Sequence, residues 1–144
     1  MPSCEGAEAR RLFMGARVAI LATLDPSGQP HLVPITFVVD GDRVWTAVDA
    51  KSKRTRQLRR LENIRANPRV SLLAQHWDED WSALWWVRAD GIATISDTDA
   101  SVDRIARLLR SKYQQYQSID VTGPVVAVTV HTWRGWTGAT STTA

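Results

Sequence analysis

Three strand-like segments joined by two tight turns, in residues 16 to 48, limit what this chain can fold into more than anything else in its sequence. Ala16 to Leu24 is a nearly continuous apolar run, the pattern of a strand buried on both faces. Asp25-Pro26-Ser27-Gly28 follows, a turn in which Pro presets φ and Gly supplies φ > 0. His31 to Asp40 reads as the returning strand. Gly41-Asp42 makes the next turn, and Arg43 to Val48 the third strand. Turns this short force neighbouring strands to run antiparallel, so the opening third of the chain is a meander. Pro34 lies inside the second strand and cannot donate a ladder hydrogen bond. That marks either a plain edge strand or a bulge beside a site where backbone groups meet a ligand.

The rest of the chain extends this pattern. Glu5 to Met14 reads as a short helix closed by Gly15. Leu58, Leu61 and Ile64 recur at three-residue spacing, an apolar stripe on a helix of about three turns that Asn67-Pro68 ends. Arg69 to His76 and Leu84 to Ile95 read as strands four and five, with a bend expected at Gly91. Ala100 to Tyr116 reads as a helix with Val102, Ile105, Leu108, Leu109 and Tyr113 on one face. Val125 to Val130 is the last strand expected. We read residues 1–144 as one domain, since no repeat or linker divides them. The expected fold is mainly β (α+β): a six-stranded antiparallel barrel with helices packed at its ends. A barrel this small has little interior left for a ligand, so a large one would bind outside it, for example between two subunits.

Charge is concentrated at one place. Between Lys51 and Arg69 there are eight Lys/Arg and a single acid, Glu62. Lys51, Lys53, Arg54 and Arg56 crowd the start of the second helix, where the helix dipole disfavours cations. Exposed N–H groups together with Lys and Arg donors suit a phosphate. A discrete anionic ligand fits this local basicity better than a coat of nucleic acid. Residues 59 to 69 fit a solvated basic face.

Other chemistries find little support. His31, His76 and His131 lack ligand spacing, and Cys4 is alone, which fits a reducing cytoplasm and no metal site. Asp78-Glu79-Asp80 reads as an acidic solvent turn. No G-x-G-x-x-G, P-loop or nucleophile elbow occurs. Residues 1–11 mix charges and do not read as a leader, and no apolar run has membrane-spanning length. Of the seven Trp, Trp45 and Trp86 read as core or interface packing. Trp77, Trp81 and Trp85 cluster around the acidic turn as an interface or ring-stacking wall.

The strings ILATLDPSGQPHLVPITFVVDGDRVW, DAKSKRTRQLRRLENIRANPRVSLL and WWVRADGIATI, in that order, resemble the split β-barrel family that binds flavins and deazaflavins. Pyridoxamine 5′-phosphate oxidase is its founding member, and the actinobacterial branch using coenzyme F420 is the more similar. The resemblance covers roughly residues 12 to 138 and implies an FMN-binding-like split barrel. It further implies a cytoplasmic homodimer with two cofactor sites at the subunit interface. The cofactor phosphate would sit at Lys51, Ser52, Lys53, Arg54 and Thr55. The ring would lie against Val33, Pro34, Ile35, Thr36 and Thr46. The partner subunit would add Trp77, Trp81 or Trp85, and Trp133 with Arg134. The implied activity is hydride transfer from reduced coenzyme F420 to a small unsaturated acceptor. The oxidase's own substrate-phosphate residues are not found near the C-terminus. Alternatives are an FMN-dependent oxidase or reductase, and a non-catalytic binder of flavin or deazaflavin. Neither nucleic acid nor membrane is an expected partner.

Overall fold

The computed structural model describes residues 3–49 and 55–139, with the backbone alone described for residue 49 and residues 55–58. Its strands are β1 (Ser3–Glu5), β2 (Ala19–Leu24), β3 (Pro30–Ile35), β4 (Val38–Asp40), β5 (Arg43–Asp49), β6 (Arg69–His76), β7 (Trp85–Ser96) and β8 (Val121–Thr137). The helices are α1 (Gly6–Met14), α2 (Thr55–Ala66) and α3 (Asp99–Lys112), with short 3₁₀ turns at Trp81–Ala83 and Gln114–Gln117. The sheet runs β3-β2-β6-β7-β8-β5-β4, and β1 pairs with the far end of β8. Every strand pair is antiparallel.

The antiparallel barrel plan expected from the sequence is the one found, but with eight strands in place of six. The His31–Asp40 segment divides at Thr36 and Phe37 into β3 and β4. These two strands stand at opposite ends of the sheet order. The chain therefore crosses from one edge to the other over two residues, and the sheet must curl to let it do so. A further strand, β1, pairs with Arg134 to Trp136. β8 is far longer than expected, because Thr132 to Thr137 continue along β7 after a register shift opposite Asp90 and Gly91. Gly91 is required there: a Cβ would run into the Thr129 carbonyl oxygen.

Two cores result. One fills the barrel with Leu21, Leu72, Val87 and Phe37, and α1 plugs it with Ala9 and Phe13. The Phe13 ring packs 4.9 Å from Phe37 and edge-on 5.3 Å from Trp133. α2 adds Leu61 and Ile64, as the stripe predicted. It also adds Asn63, whose amide donates to the buried Thr23 hydroxyl at 3.0 Å. The second core lies outside the barrel, where Val102, Ile105 and Leu109 of α3 cover Trp45, Val125 and Ala127. α3 ends at Lys112, four residues short of the expectation; Tyr113 is extended, and Tyr116 lies in the 3₁₀ turn that follows.

Two burial expectations change. β2 is buried on one face only: Ile20, Ala22 and Leu24 are half-exposed on the other. Trp86 is not a core residue: it projects outward between buried Val87 and half-buried Trp85, which leaves interface packing as the remaining part of its expectation.

Candidate functional site

The crossing at Thr36 and Phe37 makes a seam in the barrel. β3 pairs only with β2, and β4 pairs with β5 only from Trp45 back to Arg43. Beyond Trp45, β5 pairs with β8 alone. Among the described residues, the outer edge of Val33 to Thr36 and the facing edge of Thr46 to Asp49 are thus both without a sheet neighbour. Such edges offer backbone N–H and C=O groups to a ligand.

The structure brings together several residues the sequence singles out. Val33 is half-buried, Pro34 exposed and Ile35 buried on the edge strand β3. Pro34 thus takes the plain-edge role, opposite Ile20. The Thr46 hydroxyl donates to the Thr36 carbonyl at 2.8 Å and is itself buried, so it ties the two sides of the seam. Lys51, Ser52, Lys53 and Arg54 lie outside the described residues. Thr55 opens α2, and its side chain is likewise outside them. Further along α2, Arg59 and Arg65 are exposed as a solvated face would be, but Arg60 is buried.

Register locates the tryptophans. Ile35 pairs with Ala19, and Ile20 with Leu73, so the end of β6 and the seam lie at the same end of the sheet, two strands apart. The turn after β6 carries Trp77, 65% exposed, and Trp81, 67% exposed. Its acids are structural. Asp78 accepts from the Asp80 N–H at 2.8 Å, and Asp80 caps the 3₁₀ turn through the Ser82 N–H at 3.0 Å and hydroxyl at 2.7 Å. Those bonds hold the Asp80 carboxyl below its usual range, the hydroxyl contributing most. Glu79 accepts from the Trp77 indole at 3.3 Å. Trp133, by contrast, is buried in the barrel core against Phe13, while its neighbour Arg134 is exposed.

The outward face of β3, β2, β6 and β7 carries Leu32, Leu73 and Ile92 in the open, with Val18 at its border. A cavity of about 310 Å³ opens there, lined by Ala22, Leu24, Pro30, Arg69 and Ser71 among others. On the same face Asp90 accepts from the Ser71 hydroxyl at 2.6 Å and from Arg88 at 3.1 Å, so its carboxylate is already paired.

Sequence reasoning did not foresee what fixes the seam. The Tyr116 hydroxyl bonds the Thr36 hydroxyl at 2.6 Å. The Tyr113 hydroxyl accepts from the Phe37 N–H at 3.2 Å and stands within donating distance of the carbonyls of Arg17, 2.9 Å, and Phe37, 3.2 Å. Tyr113 is legible as part of an apolar face, but its polar tip gives no sign of where it reaches.

The apolar edge, the free backbone groups and the cationic α2 region suit a planar, anionic ring compound. A match to the family described as pyridoxamine 5′-phosphate oxidase spans residues 6–137. Among solved structures, a conserved hypothetical protein, Rv2991, from Mycobacterium tuberculosis is similar at 24% identity and TM-score 0.71, over 92% of this chain and 86% of that one. A FAD-binding protein from Mesorhizobium loti is similar at 18% identity and TM-score 0.70, over 93% of each chain. The heme storage protein HutZ from Vibrio cholerae is similar at 14% identity and TM-score 0.62, over 86% of this chain and 88% of that one. At these identities the likeness is one of fold. No curated protein matches the chain.

Proposed function

Because the chain belongs to the pyridoxamine 5′-phosphate oxidase family, we propose that it is an oxidoreductase that binds a flavin-type redox cofactor along the seam. Our reading of the cofactor is coenzyme F420, with FMN as the alternative, and of the acceptor a small unsaturated molecule. The observation that carries this is the unpaired edge of β3 facing the unpaired end of β5. Lys51, Ser52, Lys53, Arg54 and Thr55 follow directly on β5 in the chain and would hold the phosphate. Backbone groups of Val33 to Thr36 would face the ring, with Val33 and Pro34 as its apolar support. When bound, such a cofactor supplies the two-electron chemistry. The chain's own part is to bind, orient and shield it, and no catalytic side chain is required.

We further propose a homodimer. The bare face of Leu32, Leu73 and Ile92 gains from being covered by a second copy. The paired state of Asp90 lets its own carboxylate be buried there with its partners in place. In such a dimer the exposed Trp77 and Trp81, at the seam end of the sheet, would help wall the cofactor. The cytoplasm is the compartment we propose, on the lone Cys4.

The test is titration of the purified protein with coenzyme F420 and with FMN, followed by Trp fluorescence. Coenzyme F420 carries an acidic tail beyond its phosphate, so it should bind more tightly than FMN, with the gap narrowing as salt rises. Equal affinities at low salt would favour FMN. Binding of neither would overturn the cofactor reading.

A further inference from the structure

Lys112 is the last residue of α3, and its amine is buried beside Phe37 with no hydrogen-bond partner among the described residues. The Nζ stands 3.7 Å from the centre of the Phe37 ring and 5.2 Å from that of Tyr113. Arg17, on the connection between α1 and β2, donates to the Lys112 carbonyl at 2.9 Å and lies 4.6 Å over the Tyr113 ring. Burial, and then the Arg17 charge, push the Lys112 amine down to about 8. Arg17 and Tyr113 are the charged and titratable groups described around it. Burial chiefly raises the Tyr113 phenol, so it stays neutral through that range.

The amine therefore sits against one of the two residues at the crossing. Phe37 is in contact with both this amine and the Phe13 ring. Thr36 is held by Tyr116 from the 3₁₀ turn just after α3.

We infer that Lys112 makes ligand binding at the seam proton-dependent: as an ammonium it places a positive charge against Phe37 that favours an anionic ligand, and as a neutral amine it does not. The inference rests on the seam being the cofactor site. Lys112 is a positioning residue in this scheme. It acts through Phe37 and the low-dielectric contact around it, where charges are weakly screened. By linkage, an anionic ligand stabilises the charged amine and the charged amine strengthens the ligand. Affinity should fall as pH rises through about 8.

The experiment titrates FMN and coenzyme F420 into the wild-type protein, Lys112→Met and Lys112→Arg at pH 6.5 to 9.5, in steps of about half a unit. Comparing the three proteins cancels any titration of the ligand itself. The wild type should lose roughly fivefold in affinity across this range. The Met variant should be weaker at low pH and show no such loss. The Arg variant, charged throughout, should keep its affinity to the top of the range. Circular dichroism at each pH checks that all three are folded. Binding with the same profile in wild type and Lys112→Met overturns this inference and leaves the cofactor site standing. Absence of binding by all three proteins overturns both.

Discussion

Across β5 and the first part of β8 the outward side chains Trp45, Val125 and Ala127 are buried, because α3 lies on them. Across β3, β2, β6 and β7 the outward side chains have no such cover, and Leu32 is 62% exposed. The residue types are alike on the two sides. What differs is topology: the α3 segment leaves β7 and returns to β8 across the first region only. Apolar surface is stabilising only when something removes it from water. One half of the barrel's outside is thus finished by its own chain, and the other half is left bare.

Truncation should separate the two halves most sharply. Ile105 is fully buried under the helix that covers β5 and β8. Ile105→Ala should cost about 2–5 kcal/mol, the transfer and cavity terms together. Leu32→Ala on the bare half should change the stability of the single subunit by no more than about 0.5 kcal/mol. Urea melts of the two variants at low protein concentration measure both. Equal losses would mean that the bare face is already covered within the subunit.

A charge on the bare half should act on assembly instead. Leu73 lies in the middle of that face, opposite Ile20 on one side and Arg88 on the other. Leu73→Glu would bury a carboxylate in the dimer interface, and in a symmetric dimer it does so twice. Dimer affinity should fall at least tenfold, on the order of 1.4 kcal/mol, while the subunit stays folded. Light scattering across a concentration series reads the change. A wild-type protein that is monomeric at micromolar concentration and still binds cofactor would remove the homodimer from the proposal.

The same contrast explains what the sequence discloses. The Asp25–Gly28 and Gly41 turns are local, and both glycines have the positive φ the turns demand, 85° and 62°. The α2 stripe is local too, and Leu61 and Ile64 are buried as expected. The continuous apolar run of β2 also reads correctly as strand, but it cannot say whether its second face is covered by its own chain or by another. The break at Thr36 and Phe37 is not local at all. It depends on hydroxyls from Tyr113 and Tyr116, some eighty residues away. The burial of Trp133 is hidden from the sequence for a related reason. Nothing in its neighbours shows that Phe13 from the first helix will enclose it. The edge position of β3 was legible through Pro34. The basic residues 51–54 rest on charge alone.

The smallest effect sharpens the comparison from inside. Among the apolar groups that meet at the seam, the Lys112 amine is a polar intruder, buried at the end of a half-buried side chain and set against Phe37. Its folded pKa is lowered to about 8 from an ordinary 10.5. Between those values the unfolded chain keeps a proton that the folded chain gives up, so this group makes stability rise with pH over that window. Below it, the folded protein carries the cost of an ammonium short of water. Lys112→Met removes that cost, so the variant without cofactor should melt higher than wild type at pH 7, with the advantage fading toward pH 10. Solvent still reaches part of the side chain, so we expect no more than about 1 kcal/mol. The same substitution should weaken an anionic ligand. Opposite signs for stability and affinity are what an ammonium poised beside a ligand site requires. If Lys112→Met instead melts lower at pH 7, the stacking of the amine on Phe37 outweighs its burial, and the lysine is a packing element of the barrel.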